Sequence, residues 1–77
     1  MQTSQQAVRQ DEDSNDWEKA RHEARQYVGW LEMRLINGRV QYEAVEELVA
    51  TGVRREVAGW ALVHVIQDNG GRPPEPI

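Results

Sequence analysis

Two histidines, thirteen carboxylates and no cysteine are the stock from which any chemistry in these 77 residues must be made. Without cysteine there are no disulfides, thiolate metal sites or thiol nucleophiles. His22 sits in Arg21-His22-Glu23, which shares two letters with a zinc-protease motif but lacks the second histidine four positions on. Glu43, Glu46 and Glu47 share a short segment, yet no histidine stands at ligand spacing to them, and their charges belong on the solvated side of a helix. The hydroxyls are Thr3, Ser4, Ser14, Thr51 and two tyrosines, and neither histidine forms a nucleophile and base pattern with them. Gly70-Gly71 follows an apolar run, where a phosphate-binding loop would precede a helix. The expectation is therefore no enzyme, no metal or cofactor and no small-molecule substrate.

His64 is the more informative histidine. It lies in Val53 to Ile66, VRREVAGWALVHVI, whose last seven residues are otherwise apolar. At helical spacing Val53, Val57, Trp60, Ala61 and His64 form one stripe, while Leu62, Val63, Val65 and Ile66 spread over the other faces. A segment apolar all round must be covered on several sides. A lone histidine in such a stripe is expected to be a hydrogen-bonded core or interface residue, with a pH-dependent dimer contact as the sharper alternative.

Few elements are available to do the covering. From Trp17 the apolar residues fall at Ala20, Ala24, Tyr27, Val28, Leu31 and Leu35, which predicts one amphipathic helix from Asp16 to Ile36, capped by Ser14, Asn15 or Asp16 and stopped by Asn37-Gly38. Trp30 and Met33 lie off that stripe and suggest a second apolar face for a subunit or target, since both residue types are enriched at interface centres. Arg39 to Ala50 reads as a shorter helix with Tyr42, Val45, Leu48 and Val49 inward, ended by Gly52. Arg54 to Asp68 reads as a third, ended by Asn69-Gly70-Gly71; a strand is the competing reading of residues 59–66 because several are β-branched. Residues 1–13 are polar, acidic and aperiodic and are expected to be a flexible arm; residues 14–70 form the single domain; residues 71–77 are a proline-rich tail that cannot continue a helix.

The net charge of −4 is concentrated in Gln10 to Glu18, which holds Asp11, Glu12, Asp13, Asp16 and Glu18. From Lys19 to Arg72 eight basic residues oppose seven acidic ones, a net of +1, whereas most nucleic-acid modules are visibly basic. Residues 1–10 have no apolar run and are not expected to be a signal peptide, and no apolar stretch reaches the length of a membrane span, so a cytoplasmic location is expected.

Val45 to Leu62 also matches the outline of a helix-turn-helix: two short helices meet at a Gly-containing turn, and Arg54 and Arg55 stand at the start of the second, with Arg39 available nearby. Positive charge at a helix N-terminus opposes the dipole and calls for an anionic partner or a carboxylate such as Glu56 or Glu47. After Val57, however, few polar side chains remain to read base edges.

Together these readings predict an all-α, small three-helix domain, a long amphipathic helix packed across an αα-hairpin and completed by dimerisation. The expected function is that of a small interaction protein, of the kind phages and mobile elements encode, which regulates or inhibits a larger protein by docking an apolar helical surface. Trp30, Met33, Trp60, Val63 and His64 are the expected partner or dimer interface. The alternative is a helix-turn-helix DNA-binding regulator acting through Arg39, Arg54 and Arg55.

Overall fold

The computed structural model describes residues 16–77, which are helical apart from short turns and the C-terminal tail, with no strand among them. Helix α1 spans residues 16–23, a 3-10 turn follows over Ala24–Tyr27, and α2 covers Val28–Ile36. Helices α3, Gln41–Ala50, and α4, Arg55–Asp68, complete the fold. Residues 59–66 are thus helix, not strand. The flexible arm of residues 1–13 and the cap candidates Ser14 and Asn15 lie outside the described residues.

The expected first helix is continuous in direction but tightened in the middle. Val28 N–H bonds back three residues to the Arg25 carbonyl, and Tyr27 stands at φ −104°, ψ 0°. Tyr27, Val28 and Gly29 are weaker helix formers than Ala24, Arg25 and Gln26 before them, and the tightened turn ends where they begin. Gly38 ends α2 at φ 97°: its N–H reaches the Leu35 carbonyl, and Arg39 N–H reaches that of Arg34. Gly52, at φ 108°, closes α3 on the Val49 carbonyl. A Cβ at either position would be forced into the left-handed region, so both helix stops read from the sequence rest on a steric requirement.

The core is Ala20, Ala24, Leu31, Leu35, Ala44, Leu48, Val57, Ala58, Ala61 and Val65. Small residues on α1, α3 and α4 let the backbones approach, and α4 packs against α2, α3 and the 3-10 turn. The inward side of α3 differs from the expected one. Ala44 and Leu48 are buried, Val45 and Val49 are half-buried, and Tyr42 is 73% exposed. Tyr42 and Ala44 are two residues apart, about 200° around a helix at roughly 100° per residue, so they cannot both face inward. The shorter side chain takes the inner position because it admits the closer approach.

The tail does not trail away. Ile77 N–H donates to the Ile36 carbonyl at 3.0 Å, and Asn69 Nδ2 donates to the Arg72 carbonyl at 2.9 Å, so the proline-rich segment runs back to the end of α2.

Gly29 lies inside α2, and a Cβ built on it would meet no atom within 4 Å. Gly29→Ala should therefore stabilise the domain by about 0.5–1 kcal/mol, whereas Leu31→Ala should cost about 2–5 kcal/mol, both read from urea unfolding followed by circular dichroism.

Candidate functional site

Trp60 is the corner where α1 and α4 meet. Its ring stacks on that of Trp17, with centroids 5.3 Å apart and planes 14° from parallel. The guanidinium carbon of Arg21 lies 5.9 Å from the Trp60 ring centroid, and the His64 ring stands 6.3 Å away at 35°. His64 Nε2 donates to the Arg21 carbonyl at 2.7 Å, while the buried Nδ1 has no protein partner. At 2% exposure His64 is a core residue that ties α4 to α1 and is not part of the outer surface, in contrast to its expected interface role. Trp60 is half-buried in this stack, so only part of it faces outward.

The arginines expected to meet DNA are all engaged by carboxylates. Arg54 Nη2 stands 3.5 Å from Glu23 Oε1, which joins the start of α4 to the end of α1. Arg55 grips both carboxylate oxygens of Glu46 on α3. Glu47 accepts two cations, Arg39 at 2.9 Å and Arg34 at 3.4 Å, and the Arg34 guanidinium also covers the half-buried Trp30 ring at 4.4 Å. Arg25 pairs with Asp68 at 3.1 Å. Each of these pairs joins different elements. Carboxylates at the head of α4 were anticipated, but they are Glu23 and Glu46, not Glu56 or Glu47.

Apart from Trp17, the large apolar side chains left outside among the described residues fall in two regions of the chain. From α2 to the start of α3, Met33 is 55% exposed, Val40 58% and Tyr42 73%, and the backbone of the fully exposed Ile77 is bonded to the end of α2. Trp30, beneath Arg34, lies one turn from Met33. The second region is the outer side of α4, where Val63 is exposed and Arg55, Glu56, Gly59, Trp60 and Val63 line a shallow depression of about 320 Å³. Another cleft, of about 400 Å³, is bordered by Glu18, Arg21, His22, Arg25 and His64, a set of mixed charge whose Arg25 is already held by Asp68. Among the described residues no group of three or more His, Cys, Asp or Glu could hold a metal ion, and no helix is long and apolar enough to cross a membrane.

No protein family, characterised protein or solved structure matches the chain.

Sequence reasoning missed Val40, Tyr42 and Ile77, and it missed that two helices carry one pattern. Gly29-Trp30-x-x-Met33 on α2 and Gly59-Trp60-x-x-Val63 on α4 lie thirty positions apart, each with an open glycine, a half-buried tryptophan and an exposed large residue one turn after the glycine. That repeat is visible in the sequence. The exposure of Tyr42 and the position of Ile77 are not, because the first depends on which side of α3 is buried and the second on a tail contact 41 residues distant.

The hydrogen bonds from Arg55 hold the Glu46 carboxyl below the usual glutamate range, and the same pair raises Arg55. A carboxylate with a lowered folded value contributes stability that is present above its unfolded value and lost as pH falls through the folded one. Thermal midpoints of wild type and Glu46→Gln should therefore differ most near neutral pH and converge as the solution is acidified below the ordinary glutamate range. A difference independent of pH would show that Glu46 acts through packing.

Proposed function

We propose that this chain is a small non-enzymatic interaction protein of the cytoplasm that regulates or inhibits a larger protein by docking an apolar helical surface, in the manner of accessory proteins of phages and mobile elements. The observation that carries this reading is the exposed apolar side chains of α2, the start of α3 and the tail. Met33, Val40, Tyr42 and Ile77 are four large apolar side chains left exposed on a domain whose described core contains only five apolar residues larger than alanine. A chain so short of large buried side chains would be more stable with these turned inward, so their placement outside fits recognition better than folding. Arg39 and Glu43 line a shallow depression with Tyr42 and supply polar groups of the kind found at the rim of a protein interface.

The DNA-binding alternative draws on the contact between α3 and α4 and on the placement of Arg54 and Arg55 at the head of α4. It is the weaker reading, because Arg39, Arg54 and Arg55 already face carboxylates of this chain, and a phosphate would have to displace them.

A photo-crosslinking amino acid in place of Tyr42 should capture the target in cells, and the purified target should then bind wild type at least about 10-fold more tightly than Met33→Asp/Tyr42→Ala. Equal affinity for both proteins would sink the assignment. In parallel, fluorescence anisotropy of a labelled random duplex at low salt should show no binding; micromolar binding that collapses as salt rises would favour the helix-turn-helix reading.

A further inference from the structure

We infer that the outer side of α4 is a self-association surface, on which a second copy of this chain packs its own α4 antiparallel about a two-fold axis. The inference concerns a different surface from the exposed side chains of α2 and the start of α3 and stands independently of them.

Val57, Ala58, Ala61, His64 and Val65 point into the core, which turns Glu56, Gly59, Val63 and Gln67 outward. From Val57 to Gln67 the helix carries no Asp, Glu, Lys or Arg on any side. A helix at the surface of a bundle ordinarily presents charge to water over such a length. The matching pattern on α2 is unlike it in this respect, since Glu32 and Arg34 flank Met33. Of the two similar surfaces, α4 is the one whose charges, Arg55 and Glu56, stand at one end of the strip and not within it.

Shape and charge select the occupant. Val63 projects outward, and one turn earlier Gly59 leaves open the space where a Cβ would stand, with nothing of this chain within 4 Å. A glycine inside a helix costs about 1 kcal/mol relative to alanine, and the described residues leave the freed space open. If two copies of α4 cross antiparallel with the axis midway between Gly59 and Val63, each Val63 enters the gap over Gly59 of the partner subunit, and one operation fills both gaps. The same operation sets the head of each helix beside the Asp68 end of the other, so that the two helix dipoles oppose. A projection and a recess one turn apart on a strip without charge from Val57 to Gln67 complement themselves, and an unrelated helix would have to reproduce both features.

The test is sedimentation velocity and light scattering of the full chain over a concentration range from about 1 to 500 µM, the span in which a contact of this size associates. Wild type should pass from the 8.9 kDa monomer to twice that mass. Val63→Glu should raise the dimer dissociation constant about 30-fold or more, the loss expected for a residue at the centre of a dehydrated contact. Gly59→Ala should weaken the dimer while leaving the circular-dichroism helix signal and thermal midpoint of the monomer equal or higher, which separates a lost dimer from a lost fold. Met33→Asp should dimerise like wild type. A mass of 8.9 kDa at every concentration overturns the inference, as does a dimer broken by Met33→Asp and indifferent to Val63→Glu and Gly59→Ala.

Discussion

Everything in this fold follows from the need to cover a helix, α4, that has no charge along three of its turns. The chain meets that need on one side only. Ala20 and Ala24 from the first helical segment, Leu31 and Leu35 from α2, and Ala44 and Leu48 from α3 enclose Val57, Ala58, Ala61, His64 and Val65. Half of the apolar core positions are alanine. Alanine permits close helix packing but removes little apolar area from water, and at about 25 cal/mol per Å² that leaves a modest hydrophobic driving force for a domain of this length. Among the described residues nothing covers Val63 and Gly59 on the outer side of α4.

A thin core places weight on the rim. Among the described residues five ion pairs link different parts of the fold, and the indole of Trp60 spans the α1–α4 junction between Trp17 and Arg21. Exposed pairs contribute about 0–1 kcal/mol each, so their value lies less in stability than in register. Arg54 with Glu23 and Arg55 with Glu46 set the head of α4 against two different helices at once, and Arg34 with Glu47 fixes α2 against α3. The same pairs leave little free positive charge on a body that is already close to neutral. A polyanion would have to break intramolecular pairs to bind, whereas an apolar partner would break none.

What the sequence made legible was set by local rules. The three helix stops follow from glycine conformations that no other residue adopts cheaply, and the helical character of residues 59–66 follows from length and flanking residues that outweigh β-branching. Two features escaped because they depend on tertiary choices. The inner side of α3 was decided by how closely α3 could approach its neighbours, which favoured Ala44 over Tyr42 although Tyr42 has the greater hydrophobic content. His64 satisfied both the core and the interface reading until its bond to the Arg21 carbonyl, 43 residues away, placed it inside. The identity of the carboxylates that hold Arg54 and Arg55 was likewise a matter of which helix ends meet, and spacing along the chain carries no record of that.

The two Gly-Trp surfaces show how one local pattern can serve two ends. On α2 the glycine and methionine sit among Glu32 and Arg34, and the tryptophan is covered by Arg34, so the surface is mixed and stays hydrated. On α4 the residues from Val57 to Gln67 are uncharged, with Arg55 and Glu56 at one end of the depression, and the tryptophan is stacked on another indole. Burying the first would strip water from ions, which must then be paired again across the interface; burying the second removes mainly apolar surface. The first geometry therefore suits a partner chosen by specific polar contacts at its margin, and the second suits a partner chosen by fit alone. A dimer built on α4 would also display two copies of the exposed Met33, Val40 and Tyr42 side chains, so that a target with two matching sites would be held by avidity without any added contact.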